Sequence, residues 1–364
     1  MNTKGWAVYS LGMMMALVCV LATHGAAKDK YSGGDGSASK PWVISTPNDL
    51  SVLAATSKHW NNHFVQGAAI DMSGQDPITS IGTFGTPFMG TYDGGGFAIA
   101  NVTILAPSQS QPGGDGLFGV VQGNGADITI QKLILANPAV LGASADTGGL
   151  VGRMESGTVQ QCAVTGGYVS GTINTGGLAG QVRAEAAVRE CYATACVLGA
   201  KAVGGLIGLN AGVVEDCYCR SNTLAQWGDW PQSPDAVDVG GLVGRNSAGW
   251  IATSYAACDR MLLRSTGALV PVNTGGLVGT WLAAGSAEYL FIPNNYCSKE
   301  TLGLEAASNN AIGSPSSTDL THWSNLVAAS VSVAALHQKS TFKHWDFDYV
   351  WTIEAGDMPR LQWQ

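Results

Sequence analysis

The chain has 364 residues, of which 49 are glycine and only 12% are charged, and its formal net charge is −8. Charged residues make up about 25% of an average soluble protein, so glycine and uncharged polar residues are unusually abundant here. The acidic balance and the lack of a basic stripe argue against a nucleic-acid-binding protein.

The first 27 residues have the pattern of a secretory signal. Lys4 gives a short basic start, residues 8–22 are almost continuously apolar, and Gly25-Ala26-Ala27 supplies small residues before a cut. A membrane span needs about 20 apolar residues, which is more than this run contains. We therefore expect cleavage after Ala27, a secreted or cell-surface location, and no membrane span in the mature chain.

Residues 28–115 are predicted to form an N-terminal cap and degenerate coils. Thr46-Pro47-Asn48-Asp49 combines a cap residue, a proline and a first-turn acid, and apolar residues follow at helical spacing, so we predict a capping helix over residues 48–63. His59 and His63 then lie four residues apart. Trp60 replaces the glutamate that a zinc peptidase motif requires, so we favour a packing role for both histidines.

Asp71 and Asp93 each stand close to glycine or serine. An acid in this setting is a candidate calcium ligand or half of a hydrolytic pair. An aspartate that accepts hydrogen bonds from its own turn has the same signature, and we favour this turn interpretation.

The phrase Gly-Gly-Leu-x-Gly recurs through the middle of the chain, with a degenerate first copy. Its leucines are Leu117, Leu150, Leu178, Leu206, Leu242 and Leu277, and two intervals (150 to 178, and 178 to 206) are 28 residues long. Such a period is typical of stacked repeats. Each unit contains three β-prone pieces, such as residues 150–152, 158–164 and 167–171, and no helical period. We predict an all-β, parallel β-helix solenoid with repeat coils over residues 116–300.

Equivalent residues of successive coils are expected to stack in rows along the axis. The leucines predict one row, and the double glycines predict another at a corner that has no space for a Cβ atom. A third row is predicted from residues 11–13 positions after the leucines, which are Cys162, Cys191, Cys217 and Ser254. The residue that follows this third row is often tyrosine.

Seven of the eight cysteines follow the signal segment. Their phase in the repeat favours free thiols inside the coil, where cysteine behaves as a small apolar residue. A disulfide between stacked neighbours such as Cys191 and Cys217 stays open, because strands about 4.8 Å apart are close enough for one. The cysteine spacings do not match a zinc site.

The repeats resemble the GLUG-motif repeat family, which is named for its Gly-Leu-x-Gly core and is found in secreted and surface proteins of bacteria. The matching segments are GGLVGRMESGTVQQCAVTGGYVSG, GGLIGLNAGVVEDCYCRSN and GGLVGRNSAGWIATSYAAC. The resemblance implies a right-handed coil, in line with the usual hand of parallel crossovers. It implies no activity, since similar repeats in some immunoglobulin-cleaving metallopeptidases lie outside the catalytic part.

The interval from Leu206 to Leu242 is 36 residues long and contains an insertion, which in a solenoid forms a loop on the side of the stack. This loop is a candidate ligand-binding surface, with aromatic faces stacking on sugar rings and acids bonding hydroxyl groups. The candidate ligand-binding residues are Trp227, Trp230, Asp229, Asp235 and Asp238. Packing on a neighbouring coil is the interpretation that we favour for Trp227 and Trp230. Trp250, Trp281 and Tyr168 are candidates to extend the surface.

Residues 301–364 are predicted to form a C-terminal cap. Residues 318–336 are expected to be partly helical. The aromatic residues from Phe342 to Trp363 predict a final β segment that plugs the last coil, whose strand edges would otherwise be exposed.

The charged residues show no pattern typical of an enzyme. Five acids do not share one phase of the repeat, and these are Glu155, Glu185, Glu190, Glu215 and Asp216. Nucleophile-elbow, phosphate-loop and dinucleotide motifs are absent from the sequence. We predict a non-enzymatic protein without cofactor or metal, which serves in binding, adhesion or scaffolding with extracellular carbohydrate or a surface protein as partner. The alternative is a polysaccharide lyase or glycoside hydrolase with carboxylates about 5–10 Å apart.

Overall fold

The computed structural model describes residues 31–106, 113–123, 128–221, 223–226, 237–264, 272–282, 294–300, 311–315 and 328–364. Residues 31–364 form one compact unit. Parallel strands stack coil upon coil into four long sheets, which confirms the predicted all-β, parallel β-helix solenoid. The predicted signal segment lies outside the described residues.

Sheet 1 is the longest and contains 13 strands. Its strands are Trp42–Ile44, His63–Gln66, Thr91–Asp93, Phe118–Gln122, Ile128–Gln131, Val151–Gln160, Ala179–Arg189, Ile207–Asn210, Val213–Glu215, Val243–Ser247, Trp250–Ala252, Val278–Leu282 and Ile312–Pro315. Sheet 2 contains nine strands. They are Ile70–Asp71, Ala98–Ala100, Ile134–Ala136, Ala163–Thr165, Tyr192–Ala193, Tyr218–Cys219, Tyr255–Ala256, Asn295–Ser298 and Ala328–Val331.

Sheets 3 and 4 each contain six strands. The strands of sheet 3 are Thr103–Leu105, Ala139–Leu141, Tyr168–Ser170, Cys196–Gly199, Thr223–Gln226 and Met261–Arg264. The strands of sheet 4 are Gly114–Asp115, Asp146–Gly148, Asn174–Gly176, Ala202–Gly204, Val237–Gly240 and Val272–Gly275. Parallel coils therefore extend on both sides of the predicted repeat region, from Trp42 to Val331.

A central coil contains four strands, whereas the sequence predicted three. The missed strand belongs to sheet 4, as in Asn174–Gly176, and it includes the first glycine of the repeat phrase. Asparagine and glycine are rare in strands, so composition gave no signal for it. The predicted strand over residues 158–164 is split, because Gln161 turns the corner between sheets 1 and 2 with a φ of +53°.

The leucine row forms as predicted. The N–H of Leu150 donates to the carbonyl of Leu178 at 3.0 Å, and the N–H of Leu178 donates to the carbonyl of Leu206 at 2.9 Å. All six leucines of the repeat phrase are fully buried. Burial of this row and of the neighbouring valine rows stabilises the coil by about 25 cal/mol for each Å² of apolar surface.

The glycines of the phrase are required by close approach of the backbone. A Cβ atom on Gly204 would lie 1.9 Å from the carbonyl oxygen of Ile207. A Cβ atom on Gly208 would lie 2.5 Å from the amide nitrogen of Thr175, in sheet 4 of the preceding coil. Neither glycine has a positive φ, so space and not backbone conformation excludes every other residue. The backbones of sheets 1 and 4 can therefore approach each other closely only because glycine occupies these positions.

The predicted third row is a ladder of side chains inside the coil, here called the thiol row (Cys162, Cys191, Cys217 and Ser254). The amides of Cys162 and Cys191 each donate to the Sγ of the next member at 3.4 Å, and the amide of Cys217 donates to the Oγ of Ser254 at 3.1 Å. Each side chain also donates to the carbonyl two residues earlier, at 2.6–3.2 Å. The side chains of the thiol row therefore form hydrogen bonds with backbone N–H and carbonyl groups at a buried corner of the coil.

The N-terminal helix is α1, Pro47–Ala55, which is shorter than the predicted helix over residues 48–63. Thr46 and Asp49 form a capping box at its start, as the sequence suggested. A short 3₁₀ turn, Ser57–His59, follows, and strand His63–Gln66 begins where the predicted helix was to end. The indole N–H of Trp60 donates to the carbonyl of Leu53 at 2.9 Å and fastens this turn to the helix.

The aromatic C-terminal segment covers the side of the coil, contrary to the prediction that it plugs the last coil. It packs on an outward row of sheet 2, here called the tyrosine row (Tyr192, Tyr218, Tyr255 and Tyr296). Tyr192 and Tyr218 stack with centroids 4.8 Å apart. Trp351 lies 6.2 Å from Tyr218 between centroids, and the indole N–H of Trp363 donates to the carbonyl of Glu190 at 2.9 Å.

The secondary structure of this segment is mostly turns. Within residues 337–364, the strands are Trp351–Thr352 and Arg360–Leu361, an antiparallel pair, and a 3₁₀ turn spans Lys339–Thr341. In the region predicted to be partly helical, residues 328–331 form a strand and α2 spans Val333–Leu336. Residues 318–327 lie outside the described residues.

Candidate binding cleft

The predicted ligand-binding loop falls mostly outside the described residues, as do Trp227, Asp229, Trp230 and Asp235. Asp238 is described and is fully buried in sheet 4. Its carboxylate accepts bonds from Arg245 Nε, from Asn273 Nδ2 at 2.8 Å and from Thr280 Oγ1 at 2.6 Å. Asp238 therefore faces neighbouring side chains and not a ligand, contrary to the expectation.

The three aromatic residues expected to extend the loop surface do not share a face. Trp250 lies on sheet 1 and is 37% exposed, whereas Tyr168 lies on sheet 3 and is 44% exposed. Trp281 is 3% exposed because it pairs with the inward-facing Asn246 of the preceding coil. The expectation of a common surface is wrong for Trp281.

The two histidines have packing contacts, in line with the favoured interpretation. His59 Nδ1 lies 3.0 Å from the hydroxyl of Tyr31, and His63 Nδ1 lies 2.8 Å from Thr91 Oγ1. They do not share a helix, because His59 ends the 3₁₀ turn and His63 begins a strand. In the part of the chain that the structure describes, no group of three or more histidine, cysteine or acidic residues is arranged to hold a metal ion.

The two early aspartates serve as turn residues. Asp71 accepts from the amide of Ser73 at 2.9 Å and from Asn101 Nδ2 at 2.9 Å, and Asp93 accepts from the amide of Gly95 at 2.9 Å. Bonds from the Ser73 hydroxyl, the Asn101 amide and the Ser73 N–H lower the pKa of Asp71 to about 2. This geometry matches the turn interpretation of both residues.

A cleft of about 540 Å³ opens on the outer face of sheet 1. Its floor comes from strands Phe118–Gln122, Val151–Gln160 and Ala179–Arg189, and one wall comes from the loop that carries Phe84. The lining residues are Phe84, Pro87, Val120, Gln122, Arg153, Glu155, Ser156, Arg183, Ala184 and Glu185. The cleft therefore crosses three successive coils.

A β-bulge brings Glu155 and Glu185 into this cleft. Met154 pairs with Val182, but Ser156 pairs with Glu185, so the second strand contains one extra residue between the two pairs. A bulge of this kind redirects the side chains beside it. The sequence argument placed the two glutamates out of phase, and the bulge accounts for one residue of that difference, since Glu185 pairs with the residue that follows Glu155.

Arg153 organises the floor of the cleft. Its guanidinium donates to Glu155, to Asp146 Oδ2 at 3.1 Å and to Gln181 Oε1 at 2.8 Å. Arg183 Nε lies 3.5 Å from Glu155 Oε2, so Glu155 bridges the arginines of two coils. Burial raises the pKa of Asp146, and the bonds from Asn174 and Arg153 oppose this effect.

Phe84 forms an apolar wall above the charged floor. Its ring is 53% exposed, and the guanidinium carbon of Arg153 lies 5.9 Å from the ring centroid. The loop is held at both ends, because the amide of Ile81 donates to the carbonyl of Leu117 at 2.9 Å and the amide of Phe88 donates to the carbonyl of Val120 at 2.8 Å. The exposed ring is thus presented on an ordered loop.

The cleft offers donors, acceptors and an apolar face together. Arg183, with 48% of its side chain exposed, supplies N–H groups, and Glu185 supplies carboxylate oxygens. Because charges of both signs alternate, the floor suits a neutral polar ligand better than a strongly charged one. The signal in the sequence was the pair of Arg-x-Glu phrases, Arg153-Met154-Glu155 and Arg183-Ala184-Glu185, which the sequence analysis did not connect.

Comparison with known sequences found two partial relatives of this chain. No family model matches the chain. A region of 185 residues is 31% identical to halomucin of Haloquadratum walsbyi, and 124 residues are 34% identical to a "putative Gly-rich membrane protein" of Evansella cellulosilytica. These regions are 48% and 34% of this chain but only 2% and 11% of the relatives, so the chain spans a small part of either protein.

A solved structure has the same fold over most of the chain. It is a "putative immunoglobulin A1 protease" from Bacteroides ovatus, with a TM-score of 0.58 and 20% identity, covering 92% of this chain and 96% of that one. At this identity the similarity shows the fold alone. The protein thus belongs structurally to the parallel β-solenoids. Among its described residues, no helix is long and apolar enough to span a membrane.

Proposed function

We propose that this protein is a secreted or cell-surface binding protein of the GLUG-repeat type, and that extracellular carbohydrate occupies the cleft on sheet 1. The observation that carries the proposal is the combination of the exposed Phe84 ring with the Arg–Glu floor. Aromatic rings stack on the C–H faces of sugars, and alternating donors and acceptors match sugar hydroxyl groups. The protein acts as a scaffold that presents this surface.

The rigidity of the floor supports a binding role. Arg153 is held by Asp146, Glu155 and Gln181, so its guanidinium is positioned before a ligand arrives. Preorganised groups lose less conformational entropy when a ligand binds. The cleft crosses three coils, each about 4.8 Å from the next, and therefore suits an extended chain of sugars.

The N-terminal run and the names of the relatives support a surface location. One relative is named halomucin and the other a Gly-rich membrane protein, and the apolar N-terminal run of this chain has the pattern of a secretory signal. We propose that cleavage follows Ala27 and that the mature chain functions without cofactor or catalysis.

A glycan array tests this function. The mature chain from Lys28 should bind a subset of neutral glycans, and Phe84→Ala should lose most of that signal. Tyr349→Ala is the matched control, because Tyr349 is 82% exposed and lies in the C-terminal segment, away from the cleft. A second variant, Trp227→Ala with Trp230→Ala, tests the inserted loop. If the wild-type protein binds no glycan on the array, a protein partner or a purely structural role is favoured.

A glycoside hydrolase or polysaccharide lyase is the second candidate function. The specific observation in its favour is that Glu155 and Glu185 line one open cleft. Glycoside hydrolases use a pair of carboxylates in a sugar-binding groove as their catalytic groups. Against it stands the engagement of Glu155 by two arginines, which occupies both of its oxygens.

Product analysis distinguishes the two functions. The wild-type protein is incubated with each bound polysaccharide, and release of reducing ends or unsaturated products is measured over time. Binding without product supports the non-catalytic proposal. Product release that disappears in Glu185→Gln, while binding persists, would establish the enzyme instead.

A further inference from the structure

Two cysteines of neighbouring coils contact each other through sulfur. Cys219 Sγ and Cys258 Sγ lie 3.9 Å apart and both side chains are buried. Cys219 ends a strand of sheet 2, and Cys258 follows the adjacent strand by two residues. The amide of Ala257 donates to the carbonyl of Cys219 at 2.8 Å, which holds the two segments side by side.

We propose that Cys219 and Cys258 form a disulfide when the protein folds in the presence of a disulfide oxidant. A disulfide S–S bond is about 2.05 Å long, so the two sulfur atoms must approach by about 2 Å. Rotation about the two Cα–Cβ bonds is the movement that would close this gap.

Cys219 and Cys258 also contact the backbone. The amide of Ser221 donates to Cys219 Sγ and Cys258 Sγ donates to the carbonyl of Gly241, each at 3.3 Å. A disulfide between them removes the donor that Cys258 offers to Gly241. In the thiol row, a disulfide between Cys191 and Cys217 would remove two donors, because each thiol donates to the carbonyl two residues earlier. The Cys191 and Cys217 pair suggested by the sequence is therefore the less favourable one.

The chemistry is thiol–disulfide exchange. A thiolate at Cys219 attacks one sulfur of glutathione disulfide, and a glutathione thiolate leaves. The thiolate of Cys258 then attacks Cys219 Sγ in the mixed disulfide and releases the second glutathione. Two protein thiols lose two protons and two electrons, and one oxidant disulfide becomes two thiols. The amide of Ser221 lies 3.3 Å from Cys219 Sγ and is aimed at the charge that develops there.

Refolding followed by peptide mapping tests the proposal. The full chain is unfolded, refolded in reduced and oxidised glutathione, blocked with iodoacetamide under denaturing conditions and digested with trypsin. We expect two fewer alkylated cysteines than in the reduced protein. The cross-linked product should contain residues 246–260, whose single cysteine is Cys258, joined to residues 202–220.

Residues 202–220 contain two cysteines, Cys217 and Cys219, so variants assign the partner. Cys219→Ser should abolish the cross-link, whereas Cys217→Ser should retain it. Cys258→Ala is a second variant that should also abolish it. Full alkylation of the refolded wild-type protein would overturn the proposal, as would a cross-link to residues 246–260 that persists in Cys219→Ser.

Discussion

The amide of Cys191 donates to the Sγ of Cys217 at 3.4 Å, so a thiol in one coil satisfies the backbone of the coil before it. The same thiol donates to the carbonyl of Glu215 at 3.1 Å. This position therefore selects a small side chain that both donates and accepts. Serine meets the same requirement, and Ser254 occupies the equivalent position one coil later.

Cys217→Val tests this role, because valine fills the space without a donor or an acceptor. We expect a loss of about 1–3 kcal/mol in the free energy of unfolding, since a buried amide and a buried carbonyl lose their partner. Cys217→Ser should cost less, and Cys196→Val, outside the thiol row, serves as the control. Urea unfolding monitored by tryptophan fluorescence gives the comparison. Equal losses for Cys217→Val and Cys217→Ser would contradict the hydrogen-bonding role.

Gly204→Ala tests the close approach at the repeat phrase. The added Cβ would lie 1.9 Å from the carbonyl oxygen of Ile207, which is backbone and cannot rotate away. We expect a loss at the upper end of the overpacking range, about 3 kcal/mol or more. Gly85→Ala is the control, because no atom lies within 4 Å of its Cβ position. Thermal unfolding should separate the two variants clearly, and equal midpoints would show that the coil adapts.

Trp351→Ala tests how the C-terminal segment is held on the tyrosine row. Trp351 is fully buried between Tyr218, Tyr255 and Trp345, so its removal should cost about 3–5 kcal/mol. Tyr349→Ala, two residues earlier and 82% exposed, should change stability by no more than about 0.5 kcal/mol. Limited proteolysis should also release the C-terminal segment earlier in Trp351→Ala. Similar stability of the two variants would mean that the segment does not support the coil.

The carboxyl group of Asp71 should titrate at about pH 2, below its ordinary pKa of 3.8. A pKa lowered by folding means that Asp71 stabilises the native state above its ordinary pKa, and that this contribution is lost as the pH falls toward 2. Asn101→Ala removes one donor and should move the pKa back toward 3.8. An NMR titration of the carboxyl carbon measures both values. A pKa near 3.8 in the wild-type protein would refute the turn geometry.

The sequence predicted the solenoid because its repeat is strict where packing is strict. The leucines, the first glycine of the complete phrases and the thiol row each occupy the same buried environment in successive coils, so the pattern is recognisable in the sequence. The strand Asn174–Gly176 was missed because hydrogen bonding to its neighbours, not composition, makes it a strand. Helix α1 was predicted too long, because Trp60 bonds back to Leu53 and ends the helical path.

The candidate cleft was less accessible to sequence reasoning. Glu155 and Glu185 both line the cleft beside a bulge, and Phe84 comes from an earlier coil than either, so no local pattern connects the three. Asp238 was named as a candidate ligand-binding residue because it follows a polar insertion. In the structure its carboxylate accepts a bond from Arg245, which comes seven residues later in the chain, after the glycine corner between sheets 4 and 1. Asp146 and Arg153 form an ion pair with the same seven-residue spacing, which is recognisable in the sequence once the position of the glycine corner is known.

A crystal structure of the mature chain with the best oligosaccharide from the array would test the binding proposal most directly. The account predicts sugar density on sheet 1, with one ring against Phe84 and hydroxyl groups within hydrogen-bond distance of Arg183 and Glu185. Density on another face, or an empty cleft at a ligand concentration that saturates binding in solution, would contradict it.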